Sequence, residues 1–326
     1  MNDIFFLDEY IKINETVENG INASYEYECE YGHVSHRFIK RKIETSIDGK
    51  EYFDIITPYG YGGPLITEGI DHAKLLKMYF SSFKKFCKEN NIISEFMRFH
   101  LFDNRLVRQD YYGEVVKLLP NVIRDLQLPM EEIWLDFDRK VRKNYRRATK
   151  DGVTLRLDQT GSELKRFLKI YYSTMERNHA NNYYYFPESY FNDINLNLKG
   201  HYAYFHAIAD QTIVSTELVL FSEKYAYSFM GGTLSEYYSS RPNDFLKVEI
   251  IKWCKASGKE LFVLGGGYKR DDGIYQYKKA FSPHSTEDFY IGKYIHDYDV
   301  YEKLVALRVQ EKDYDKGTTF FPAYRA

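Results

Sequence analysis

"ELFVLGGGYKRDDGIYQYKKAFSP" occupies residues 260–283. An apolar run ends in three consecutive glycines, a burst of charge follows, and two lysines then stand among aromatic residues. Glycines between a strand and lysines suggest a phosphate-cradling loop. A P-loop, however, needs GxxxxGK[ST], with amides around the phosphates and a hydroxyl for the metal. Gly265-Gly266-Gly267-Tyr268-Lys269-Arg270 has neither that spacing nor the hydroxyl. The GxGxxG dinucleotide fingerprint and the GxSxG nucleophile elbow are also absent. The glycines therefore read as a tight strand exit or as room for a ligand. A short helix is expected from about Tyr275 to Phe281.

Working outward from this stretch, the second half of the chain has a regular order. "VTLRLD" reads as a strand, a helix runs from about Ser162 to Asn178, and a shorter helix follows Pro187. "HYAYFHAIAD", "TIVSTELVLF" and "KYAYSFMGG" alternate as strands. The polar loop "TLSEYYSSRPND" leads to the helix "FLKVEIIKWCKASG" and the apolar strand "LFVLGG". After the short helix come a strand, "EDFYIGKYI", and a terminal helix, "VYEKLVALRVQ". In the first half, "ASYEYECEY", "HVSHRFIKRKI" and "EYFDIIT" are extended, and "TPYGYGGPL" closes them. "IDHAKLLKMYFSSFKKFCKENN" has helical apolar spacing at Leu75, Leu76, Tyr79, Phe83, Phe86 and Cys87, and "EFMRFHLFD" then alternates like a strand.

Composition narrows the function classes. The 326 residues suffice for two domains, and 44% hydrophobic with 28% charged residues is a globular balance. A net charge of −2 argues against a surface coated for nucleic acid, although a local basic face remains compatible with it. Cys29, Cys87 and Cys254 lie far apart without CxxC spacing, and His33 and His36 lack nearby carboxylates, so no metal site and no disulfide framework is expected. No apolar run reaches the roughly 18 residues of a membrane span, and the start of the chain does not read as a signal peptide. The expected location is the cytoplasm. With 32 tyrosines in the chain, clusters such as "NNYYYFPESYF" read first as amphipathic packing.

Residues 131–152, "EEIWLDFDRKVRKNYRRATKDG", form the sharpest helical pattern. Arg139, Arg142, Lys143, Arg146, Arg147 and Lys150 share one face, with Val141, Tyr145 and Ala148 opposite and Gly152 as the stop. Such a face is either solvated or a binding surface for a polyanion or phosphorylated substrate.

The element order of the second half is similar to that of acyltransferases of the GNAT type. "TPYGYGGPL" (57–65), "VRKNYRRATKDGV" (141–153), "YYSTMERNHA" (171–180) and "LGGGYKRDDGIYQYKKAFSP" (264–283) together resemble the FemAB/FemX family of peptidoglycan-bridge aminoacyltransferases, across most of the chain. The resemblance implies an α+β fold of tandem GNAT-like domains, with mixed central sheets flanked by helices. The expected boundaries are a degenerate GNAT-like domain over 1–130, a basic interdomain helix over 131–152, a second GNAT-like domain over 153–300, and a helix and tail over 301–326. Characterised members of that family transfer an amino acid from aminoacyl-tRNA to an amine of a peptidoglycan precursor. The family's long helical hairpin has no counterpart here. Nor does "SEYYSSRPNDFLK" contain the glycines of an ordinary [RQ]xxGx[GA] pyrophosphate loop, which weakens acyl-CoA as donor.

By resemblance, Lys278 corresponds to the family's lysine before a short helix ending in Phe, and Asp103 to its strand-end aspartate, with Asn104 where a proline is usual. Amine attack on an ester or thioester carbonyl needs stabilisation of a tetrahedral oxygen, which a cation such as Lys278 supplies. Glu217, inside "IVSTELVLF", is a further candidate, because a carboxylate there must be paired or face a cleft. Arg37, Tyr59, Tyr61, Arg98, Arg177, Lys269, Arg270 and Tyr275 are expected to bind substrate. The expected activity is transfer of an aminoacyl or acyl group to an amine of a cell-envelope precursor, a peptidoglycan peptide or an amino sugar. The donor is aminoacyl-tRNA or acyl-CoA, with no tightly bound cofactor. Partners would be a phosphorylated or nucleotide-linked precursor and tRNA. The alternatives are an acyl-CoA-dependent N-acyltransferase acting on a nucleotide sugar or small amine, and a non-catalytic binding module.

Overall fold

A computed structural model describes residues 3–269, 272–311, 314–315 and 317–326. It divides into two compact units: Phe5–Leu118 with Phe289–Ala326, and Leu119–Asp288 with the residues through Ile4.

The amino-terminal unit opens with α1 (Asp8–Ile13) and α2 (Glu15–Glu18), then β1 (Ile21–Cys29), β2 (Gly32–Ile47), β3 (Lys50–Ile56) and β4 (Leu65–Gly69). The helix α3 (His72–Glu89) follows, capped by the Asp71 carboxylate, which accepts from Lys74 N. Then come β5 (Ile92–Arg98), α4 (Arg105–Gln109) and β6 (Glu114–Lys117). The helical apolar spacing read in α3 is its buried face: Leu75, Leu76, Tyr79, Phe83 and Cys87 pack on Val34, Phe38, Ile55 and Met97 of the sheet.

The carboxy-terminal unit contains β7 (Asn121–Asp125), α5 (Met130–Asp136), α6 (Arg139–Lys150), β8 (Thr154–Asp158), α7 (Leu164–Arg177), α8 (Glu188–Asn197), β9 (Tyr202–Ala209), β10 (Thr212–Phe221) and β11 (Tyr225–Thr233). It continues through α9 (Pro242–Ala256), β12 (Leu261–Gly265), α10 (Gly273–Lys279) and β13 (Thr286–Glu287). The chain then re-enters the amino-terminal unit as β14 (Tyr290–Ile295) and α11 (Tyr298–Arg308).

The sheet orders are β1-β2-β3-β5-β14-β6, with β4 on β2, and β13-β7-β12-β11-β10-β9-β8. Each sheet is antiparallel except for one parallel pair, β3 with β5 and β11 with β12. In each case a long helix, α3 or α9, lies in the connection, as parallel pairing requires. This shared plan of mixed sheets flanked by helices is the tandem GNAT-like architecture.

Three expectations need correction. The helix over 131–152 is two helices: Phe137 and Asp138 are extended, with ψ of 144° and 146°. Burial of Phe137 and the Asp138 N–H donated to Ala280 O at 2.9 Å outweigh continued helix. Nor does α6 stand between domains, since Val141 and Ala148 are core residues of the carboxy-terminal unit and Asn144 donates to Asp244 on α9 at 3.2 Å. Finally, "EDFYIGKYI" is two strands. β13 pairs with β7 and β14 with β5 and β6, so the second unit starts near 119 and ends at Asp288 rather than running from 153 to 300.

Candidate active site

In the carboxy-terminal unit, β11 and β12 pair only over Tyr225–Tyr227 and Leu261–Val263. β11 continues to Thr233 outside that pairing, while Gly265 at the end of β12 pairs with Val122 of β7. The two parallel strands thus part company, and their facing edges carry backbone groups that the sheet does not pair.

Lys278, on α10, lies beside this opening. Its Nζ donates to Gly266 O at 2.6 Å. Gly265 has φ of +88°, a left-handed conformation that favours glycine, and a Cβ there would stand 3.0 Å from Lys278 Nζ. Burial, and secondarily the charge of Lys247, pull the Lys278 ammonium down to about 8, against the opposing pull of Glu217 and Asp272. Lys278 is thus a cation at neutral pH that gives up its proton more readily than an ordinary lysine. Its helix is set by Asp272, whose carboxylate accepts from Tyr275 N (2.7 Å), Tyr268 N (2.6 Å) and Lys269 N (2.8 Å). Those three bonds fold the charged loop that follows the glycines.

Glu217 is buried, and Lys247 Nζ lies 2.5 Å from each of its oxygens and 2.8 Å from Ser228 Oγ. The register of β10 against β11 shifts between Leu218 and Val219, leaving Phe229 as the extra residue of a bulge beside this pair. With both oxygens engaged by Lys247, Glu217 is not an exposed base; its charge raises Lys278 while that of Lys247 lowers it. Tyr277, the neighbour of Lys278, donates to Asn243 O at 3.2 Å.

Arg241 precedes α9 in the left-handed region, φ +56°, with Pro242 as the first helical residue. Its Nε is buried and has no hydrogen-bond partner among the described residues. Asp244, one turn on, is raised by burial, with the hydrogen bond from Asn144 and the charges of Lys140 and Arg241 opposing. A guanidinium with an unsatisfied N–H at the start of a fifteen-residue helix is a natural contact for phosphate. Arg241 and Lys247 did not emerge from the sequence. Their signals were a non-glycine residue before Pro242 where the chain must turn, and a lysine on the apolar side of "FLKVEII".

The other expected residues are spread over both units. Lys269 is exposed and Tyr275 half-buried in the loop and helix around Lys278, and Arg270 lies outside the described residues. Arg177, half-buried at the end of α7, donates to Thr174 Oγ1 at 3.3 Å, its guanidinium 5.4 Å from the Tyr238 ring centroid. Asp103, Arg37, Tyr59, Tyr61 and Arg98 belong to the amino-terminal unit. Asp103 is exposed, its carboxylate 3.3 Å from His100 Nδ1. Arg37 pairs with Asp8 at 2.7 Å, and Arg98 donates to Thr57 O at 2.8 Å. Tyr59 O accepts from Tyr10 OH at 2.6 Å, and the Tyr61 ring packs edge-on to Phe5 at 5.1 Å. Arg37 and Arg98 are thus both engaged in internal contacts.

On α6, Arg139, Lys143, Arg146, Arg147 and Lys150 are exposed. Arg142 departs from the expected binding face: its guanidinium donates to the carbonyls of Leu135 and Phe137 at 2.5 Å, capping the end of α5. Arg147 reaches Asp151 at 3.4 Å, and Arg146 lies over the Trp134 ring at 5.5 Å.

Residues 136–279 match the acetyltransferase (GNAT) domain family. The chain carries a GNAT domain. It is accordingly a transferase of acyl or aminoacyl groups, and Lys278, Glu217, Lys247 and Arg241 all lie within the matched span. The whole chain also has the fold of FemX, with a TM-score of 0.71 at 14% identity, covering 93% of this chain and 94% of that one. L-PGS from Bacillus licheniformis aligns with a TM-score of 0.54 at 13% identity over 91% and 95% of the two chains. A domain from Agrobacterium fabrum, described as the C-terminal part of a lysylphosphatidylglycerol synthetase, aligns with a TM-score of 0.56 at 13% identity over 88% of each chain. No curated protein matches the sequence. Among the described residues, no helix is long and apolar enough to cross a membrane.

Proposed function

We propose that this GNAT domain transfers an aminoacyl group from aminoacyl-tRNA to an amine of a cell-envelope precursor, with Lys278 as the cation at the reacting centre. The observation that carries the reading is the placement of Lys278: half-buried beside the parting ends of β11 and β12, at about 8, with its hydrogen bond directed at Gly266 O. An ammonium in a partly dry site stabilises the oxyanion formed when an amine attacks an ester carbonyl; as the C–O bond breaks it can give a proton to the departing oxygen and regain one from the attacking nitrogen. Arg241 supplies a phosphate contact, and the exposed cations of α6 supply a surface for the polyanionic donor. This donor and acceptor come from the sequence blocks that resemble the FemAB/FemX family, and the FemX-like fold over 93% of the chain agrees with that resemblance.

The match to the acetyltransferase family favours a second reading, in which acyl-CoA is the donor. Against it stands the segment before α9: Ser235–Ser240 is a 3-10 turn without glycine, so it lacks the amide-rich loop that usually holds pyrophosphate. Incubation with a panel of labelled aminoacyl-tRNAs and nucleotide- or lipid-linked muropeptides tests the first reading. Transfer dependent on Lys278 is the expected result, and no transfer with any tRNA would sink it. Acetyl-CoA binding in the millimolar range by calorimetry would move the assignment to the second.

A further inference from the structure

The amino-terminal unit contains a buried cluster of a different chemistry. Cys87 near the end of α3, Glu95 on β5 and His296 just beyond β14 are far apart in sequence, and the sequence analysis expected no metal. In the fold, Cys87 Sγ, a Glu95 oxygen and a His296 ring nitrogen all lie within 4.8 Å of one another. Cys87 and Glu95 are buried, and the His296 side chain is 3% exposed.

We propose that Cys87, Glu95 and His296 form a binding site for a zinc-class divalent cation that ties α3, β5 and β14 together.

Three observations support the site. The first is the donor set: thiolate, imidazole and carboxylate are the ligands zinc takes, and three protein ligands with one open position is a known coordination. Bound donors sit about 3–4 Å apart in a tetrahedral site. His296 Nε2 and Glu95 Oε2 already do so, at 3.1 Å. The second is the orientation of the carboxylate. Tyr111 OH (2.6 Å) and Tyr112 OH (2.9 Å) both donate to Oε1, which leaves Oε2 as the oxygen turned towards the imidazole. Hydrogen bonds of this kind hold the ligating carboxylates of metal sites in place. The third is position. The cluster is buried yet close to the surface: the His296 side chain is 3% exposed, and residues 296–299 line a cleft of about 340 Å³ whose wall also includes Lys88.

Charge balance agrees with the assignment: a thiolate and a carboxylate offset the two charges of a divalent cation, and the imidazole binds as a neutral ligand. A divalent cation that displaces the thiol proton to solvent, and takes His296 through Nε2 with its hydrogen on Nδ1, leaves a centre of net charge zero. In a wall of Tyr79, Phe83, Tyr111 and Tyr112, neutrality is the favoured condition.

The test needs no substrate. Reduced full-length protein carrying Cys29→Ser is stripped with a chelator and titrated with Co2+, then Zn2+. The expected result is a thiolate-to-cobalt charge-transfer band that saturates at one equivalent and is displaced by Zn2+, together with a rise in Tm. Cys87→Ser should abolish the band, and Tyr111→Phe should weaken affinity roughly ten-fold through loss of carboxylate orientation. Absence of saturable binding at micromolar metal, or a band that survives Cys87→Ser, overturns the proposal. Should Cys87→Ser fail to fold, X-ray absorption on the zinc complex of the Cys29→Ser protein decides instead. One sulfur with nitrogen and oxygen neighbours supports the site, and a shell without sulfur overturns it.

Discussion

Each unit buries a carboxylate on an inner strand of its sheet, and the two are neutralised differently. Glu217 on β10 faces a lysine, with one ammonium at 2.5 Å from both of its oxygens. Glu95 on β5 is held by two tyrosine hydroxyls and an imidazole. A full counter-charge largely cancels the carboxylate; after burial, the Lys247 charge is the next influence lowering Lys278, with Glu217 opposing it. At Glu95, burial pushes the carboxylate up, while hydrogen bonds from the imidazole and two hydroxyls hold it below its usual range. The first arrangement suits tuning a nearby cation, the role proposed for it at Lys278, and the second suits holding a cation that arrives from outside.

The contrast breaks most visibly at Lys247. Lys247→Met leaves Glu217 buried without its counter-charge and should cost about 3–5 kcal/mol of stability in urea unfolding. Adding Glu217→Leu should recover most of the loss, and a double variant as unstable as the single would refute the pairing account. Lys278→Ala should lower the single-turnover transfer rate by about 100-fold, or about 3 kcal/mol, with little loss of thermal stability. A rise in KM alone would make Lys278 a ground-state binding residue. In the other unit, Tyr111→Phe removes a hydrogen bond to a buried carboxylate and should cost about 1.5–3 kcal/mol, below the effect at Lys247.

The smallest effect is one of pH. Lys278 sits at about 8 in the fold against 10.5 unfolded. Between those values the unfolded chain binds more protons, so this residue's contribution to stability rises with pH, and its penalty is present in full below about 8. A Lys278→Met variant should therefore be the more stable protein at neutral pH, and its advantage should shrink as pH climbs towards 10.5. An advantage independent of pH would show that Lys278 carries no desolvation penalty.

Two residues of the candidate site were already candidates in the sequence. Lys278 was found by resemblance, and Glu217 because a carboxylate in an apolar strand must be compensated. Its partner was harder to see, because Lys247 stands 30 residues away on a helix whose other inward residues are apolar. Arg142 was read as part of a binding face because helical spacing places it with the other cations. Only the break at Phe137 shows that its guanidinium caps α5 instead.

Local periodicity follows from residue order alone, since side chains repeat every 3.6 residues in a helix and every two in a strand. The helices α3 and α9, the three strands before α9, and the GNAT-like order were therefore within reach of the sequence. Which strands become neighbours depends on burial and backbone pairing between segments far apart in the chain, and no local pattern encodes that. Folding alone decided that β14 returns to the first unit, that β11 and β12 separate beside Lys278, and that Cys87, Glu95 and His296 meet.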